Sequence, residues 1–125
     1  MPWTEFWDMH SGGGRKLDWD FIYIEAPLAE ARAIFYSLFG RNPERVTCTC
    51  CGEDYALEEY ETLEEATAYQ RGYYFKDGEE LPLIRELHYS LDMFVALPSI
   101  KIVYANEISD EMRKAFVPSE GYVWV

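Results

Sequence analysis

Basic side chains are scarce in this chain and missing from a long central stretch. Eleven Lys and Arg stand against 23 Asp and Glu, a formal charge of −12, and residues 46–70 contain neither Lys nor Arg. A surface of that sign repels phosphate backbones and anionic lipid headgroups, so direct nucleic-acid or membrane-surface binding is disfavoured. No apolar run approaches the roughly 20 residues that cross a bilayer. The N-terminus also lacks the basic start and apolar middle of a secretory signal, so a soluble, intracellular protein is expected. Cysteine is limited to Cys48, Cys50 and Cys51. An odd number packed so closely is a poor disulfide framework and points to reduced thiols. Histidine occurs twice, as His10 and His88. Phosphate-loop and dinucleotide-turn motifs, internal repeats and low-complexity segments are all missing.

What the chain does have is apolar and aromatic mass. Hydrophobic residues make up 49% and aromatics 17% of 125 residues. That is enough buried surface to offset chain entropy and form one ordered domain over residues 1–125. Some of the ten Tyr, seven Phe and four Trp are expected at an interface, with Trp3, Trp7, Tyr73 and Tyr74 as candidates and a homodimer as one form of it.

Apolar periodicity predicts strands over residues 3–9 and 20–25, with a glycine loop between them, and a helix that starts with Pro27 at its first position and stops at Gly40. A β-branched run over residues 45–50 predicts another strand. Thr62 and Glu65 have the spacing of a capping box for a helix reaching Arg71. Asp77-Gly78 predicts a tight hairpin with Pro82 on an edge arm. Ile84, Leu87, His88 and Leu91 have helical spacing, which puts His88 on an apolar helical face as a core histidine. Residues 93–97 and 100–104 read as strands around Pro98, residues 108–116 as a last helix, and residues 122–125 as a closing strand. The fold class is α+β, a mixed or mostly antiparallel sheet carrying two to four short helices.

Two clusters carry candidate chemistry. Cys48, Cys50 and Cys51, with His10 or His88 as a fourth ligand, could hold zinc, structural or hydrolytic, although adjacent Cys50 and Cys51 would point to opposite faces of a strand. Buried apolar thiols are the alternative. The second cluster is Glu53, Asp54, Glu58, Glu59, Glu61, Glu64 and Glu65, seven acids without a base among them. On one contiguous face they would suit a basic groove of a partner protein, and in regular rows they would imitate nucleic acid. The alternative is a solvated face that keeps the chain soluble. His10, Ser11 and the glycine loop offer an anion cradle or a hairpin tip, with no catalytic motif around them.

Residues 7–14 (WDMHSGGG), 22–27 (IYIEAP), 39–55 (FGRNPERVTCTCCGEDY) and 121–125 (GYVWV) together resemble a group of small uncharacterised proteins encoded by tailed bacteriophages, with Cys-Thr-Cys-Cys-Gly as the distinctive block. The resemblance implies phage origin and a host bacterial cytoplasm, and carries over no catalytic residue. The expected function is a non-enzymatic accessory protein that modulates a host protein through the acidic face, with inhibition of a defence enzyme as one form. The alternative is a small zinc metalloprotein.

Overall fold

A computed structural model of the chain describes residues 2–9, 17–46, 53–77, 79–82 and 88–118. The anticipated glycine loop with His10 and Ser11, the strand over residues 45–50 beyond Val46 with its three cysteines, the helical spacing of Ile84 and Leu87, and the closing strand over residues 122–125 lie outside the described residues.

Strand β1, Trp3–Asp8, is buried at every position except Trp7. Both of its faces are covered, with Phe6 in the core on one side and Trp3 in the core on the other, and its polar Thr4, Glu5 and Asp8 are buried along with them. It pairs antiparallel with β2, Phe21–Ile24, on one side and with β3, Tyr55–Tyr60, on the other. β6, Ile100–Val103, lies parallel to the outer side of β2, so the sheet order is β3-β1-β2-β6. A separate hairpin pairs β4, Tyr73–Lys76, with β5, Glu79–Pro82. Its turn includes Asp77 at φ 53°, the left-handed geometry such hairpins demand, and Pro82 sits at its open end opposite Tyr73.

Helix α1, Leu28–Phe39, covers one face of the sheet. Its Ala31, Ile34 and Phe35 pack on Phe6, Ile22, Ile24, Tyr55 and Val103. The Phe35 ring stacks on Phe6 at 4.7 Å and meets Tyr55 edge-on at 5.0 Å. Full burial of each such ring contributes roughly 2–3 kcal/mol. Gly40 ends the helix at φ 71° and donates its N–H to the Tyr36 carbonyl. Pro27 stands one position earlier than expected, as the N-cap. It offers no capping side chain, so the Leu28 N–H donates instead to Glu59 Oε1 of β3 at 2.7 Å.

The opposite face carries α2, Leu63–Thr67, and α3, Leu91–Val95. Leu63, Ala66 and Phe94 cluster there with Trp3, Tyr23 and Ile100. Thr62 Oγ1 caps α2 by accepting from the Glu65 N–H at 3.1 Å. The helix is shorter than its sequence suggests, and a further turn carries the chain through Arg71, whose N–H donates to the Thr67 carbonyl, to Gly72 at φ 103°.

Two expectations are corrected. Residues 93–97 are not a strand: Ser90 caps α3 through the Met93 N–H, and Leu91, Phe94 and Val95 meet the core at helical spacing. His88 is in no helix and is exposed, with its ring 5.0 Å from that of Tyr73. The last helix, α4, is confined to Asp110–Arg113, capped by Ser109, and follows an unforeseen 3-10 turn over Ala105–Glu107. Arg113 reaches Glu30 of α1 at 3.2 Å. The result is one α+β domain built on a four-stranded, mostly antiparallel mixed sheet with short helices on both faces. Among the described residues no helix is long and apolar enough to cross a membrane.

Candidate functional site

Strand period and register together build one polar row. Glu5 of β1 lies opposite Tyr23 of β2 and opposite Glu58 of β3, so the three side chains stand side by side on the α2 face of the sheet. Glu5 is only 6% exposed. Its Oε2 accepts from the Tyr23 hydroxyl at 2.7 Å. Burial lifts the Glu5 carboxyl to about 7, against a partial pull downward from the Tyr23 hydrogen bond and a further push upward from Glu58. Burial, and then the nearby Glu5 charge, drive the Tyr23 hydroxyl well above its ordinary range, so it stays a proton donor.

Aromatic side chains flank this row. Trp7, two residues along β1 on the same face, is 41% exposed and packs against Phe21 at 5.4 Å between ring centroids. Tyr60, two residues beyond Glu58, donates its hydroxyl to Glu58 Oε2 at 2.9 Å. Burial first, then this hydrogen bond and the charges of Glu5, Glu58 and Glu65, raise the Tyr60 hydroxyl above its usual value. Helix α2 and the turn after it stop short of covering the row. They leave an open cavity of about 320 Å³ lined by Glu5, Trp7, Glu58, Tyr60, Glu65, Ala66, Ala68, Tyr69, Gln70 and Tyr73. Three carboxylates and four aromatic rings therefore share one concavity, and the described residues that line it include no Lys or Arg. Arg71 is turned away from its mouth: the guanidinium is buried, donating to Thr67 Oγ1 at 2.9 Å and to the Glu64 carbonyl at 2.9 Å, and it lies 5.6 Å from the centre of the Tyr73 ring.

The seven acids expected to form one face divide into separate groups. Asp54 is 1% exposed and bound to Arg41 at 3.3 Å, with Arg45 at 3.9 Å, so it is internally neutralised and presents nothing to a partner. Glu59 points to the opposite side of the sheet from Glu58, as neighbours on a strand must, and is spent on the α1 N-terminus. Glu53 is exposed at the other end of β3. Glu58, Glu61, Glu64 and Glu65 remain exposed toward the end of β3 and the start of α2, two of them in the cavity wall. Sequence reasoning missed Glu5. The available signal was a single acid between Trp3 and Trp7 on the same face of a strand otherwise suited to burial.

The proposed metal ligands Cys48, Cys50, Cys51 and His10 lie outside the described residues. Among the described residues no group of three or more His, Cys, Asp or Glu is arranged to hold a metal ion. Of the aromatic candidates, Trp3 is buried in the core, whereas Trp7 and Tyr73 line the cavity. The arrangement is chemically suited to a positively charged group: carboxylates supply counter-charge, and ring faces attract a cation through their quadrupoles. No family model, curated protein or solved structure matches this chain.

Proposed function

We propose that this protein is a non-enzymatic accessory protein that binds and modulates a protein partner through a basic surface of that partner, with the end of β3 and the start of α2 as the docking face. A host protein of the bacterial cytoplasm is the partner that the phage resemblance suggests. The observation that carries the reading is the concentration of exposed Glu58, Glu61, Glu64 and Glu65 at the end of β3 and the start of α2, beside a cavity that Glu58 and Glu65 line and whose rim bears Trp7 and Tyr69, 41% and 55% exposed. Exposed acids steer a basic partner into encounter, and aromatic rings supply contact area at low entropic cost. Clustering around a concavity, with Asp54 and Glu59 withdrawn, favours capture of basic side chains over imitation of a phosphate row, which requires regularly spaced charges.

Capture from bacterial cytosol tests this. Partner retention should fall as salt rises and should be lost when Glu58, Glu61, Glu64 and Glu65 are all changed to Lys. Reversal of exposed Asp110 and Glu111 on α4 should leave it intact. Equal retention by the two charge-reversed proteins would refute the proposal.

A further inference from the structure

The cavity floor has a carboxylate that no Lys or Arg among the described residues pairs with. Glu5 is nine-tenths buried and faces the cavity, and its one hydrogen bond among the described residues comes from the neutral Tyr23 hydroxyl and engages a single oxygen. Its neighbour across β3 is another acid, Glu58, and Glu65 enters from α2. A carboxyl buried in this way either holds its proton or ionises beside an opposite charge, and a cation entering the cavity would supply that charge.

From this geometry we infer that the cavity is a receptor for one guanidinium group, an arginine side chain of the partner protein, with Glu5 as its buried counter-charge and Trp7, Tyr60, Tyr69 and Tyr73 as its walls. The inference rests on the docking reading above and names what that face holds. Guanidinium fits better than ammonium on three grounds. It is planar and weakly hydrated, so it stacks on aromatic rings at small desolvation cost. Its several N–H donors can serve the open Glu5 oxygen and Glu58 together. The volume, about 320 Å³, is at the small end for ligand sites and suits a side-chain head better than a large metabolite.

Occupancy should be coupled to pH. Among the described residues the groups around Glu5 are Tyr23 from β2, Glu58 and Tyr60 from β3, Glu65 from α2, and Tyr69 and Tyr73 from the segment after it, and the Arg71 charge acts on Tyr23. None of the acids or phenols supplies positive charge, so Glu5 is partly protonated near neutrality. An entering guanidinium favours the ionised form, and the carboxyl proton leaves to solvent. Affinity should therefore rise between pH 5.5 and pH 8 and level off above.

The test is calorimetric titration of the intact protein with a pentapeptide carrying one arginine among glycines, with its citrulline counterpart, and with butylguanidinium. The arginine peptide should bind at least about tenfold tighter than the neutral citrulline peptide, and Glu5→Gln should remove at least about tenfold of that affinity together with its pH dependence. Trp7→Leu, which keeps an apolar side chain against Phe21, should weaken binding several-fold through the lost ring face while leaving the urea unfolding midpoint close to wild type. Equal affinity for arginine and citrulline, or full affinity in both variants, overturns the site. Butylguanidinium binding as tightly as the peptide overturns the assignment to a protein side chain in favour of a free cation. If none of the three probes binds while partner capture stays sensitive to the charge reversals, this inference fails and the docking face stands.

Discussion

Replacing Glu5 by glutamine should make the protein more stable at alkaline pH and change little at acidic pH. The carboxyl titrates at about 7 in the folded chain against an ordinary 4.5, chiefly because burial penalises its charge. The folded state therefore holds this proton more tightly than the unfolded chain does. The stabilisation is complete below pH 4.5 and is lost as pH rises through 7. At about 1.4 kcal/mol for each tenfold change in acidity constant, ionisation of Glu5 removes up to roughly 3 kcal/mol of folding free energy. Glutamine keeps the shape, can still accept from the Tyr23 hydroxyl, and never ionises. Urea unfolding followed by tryptophan fluorescence at pH 5, 6, 7 and 8 measures the difference between variant and wild type, in which the titration of the other carboxyls largely cancels. The difference should be below about 1 kcal/mol at pH 5 and grow to about 3 kcal/mol in favour of the variant by pH 8. A difference that stays flat across this range would mean that Glu5 already has a counter-charge or ready access to water, and would refute its role as a buried counter-charge for a bound cation.

Two further perturbations probe the acids that do not reach the docking face. Asp54→Asn removes the charge that holds Arg41 and Arg45 beside the start of β3, and should cost about 3 kcal/mol in denaturant unfolding, with part of the loss recovered when Arg41 is changed to Met in the same chain. Glu59→Ala leaves the Leu28 N–H without its acceptor at a helix start where Pro27 cannot substitute, and should cost about 1 kcal/mol by the same measurement without altering partner capture.

Much of the architecture could be read from local patterns because local physics sets it. The aromatic-rich residues 3–8 and the two-sided apolar run at residues 21–24 marked the central strands, while the spacing from Leu28 to Phe39 with Gly40 behind it marked α1. Thr62 and Asp77 marked a helix start and a turn through their own side-chain and backbone chemistry. Residues 93–97 could not be read so simply, because a short apolar run satisfies both periods and only packing of Phe94 against Tyr23 and Ile100 selects the helix. His88 was misassigned for the same reason, since its spacing with Leu91 did not survive the start of α3 at that leucine.

Composition, charge order and local patterning along the chain were enough to mark an acidic, aromatic-rich α+β domain with a run of carboxylates at its centre. Which of those carboxylates face outward was decided only when strands paired. Register set Glu5 between Tyr23 and Glu58, the two-residue period of β3 sent Glu58 and Glu59 to opposite sides, and arginines from before the cysteine segment closed over Asp54. A charge in sequence has no direction. It acquires one from the sheet face it occupies and from the distant side chains that folding brings beside it, and in this protein that difference separates a uniform acidic run from a cavity with one buried acid at its floor.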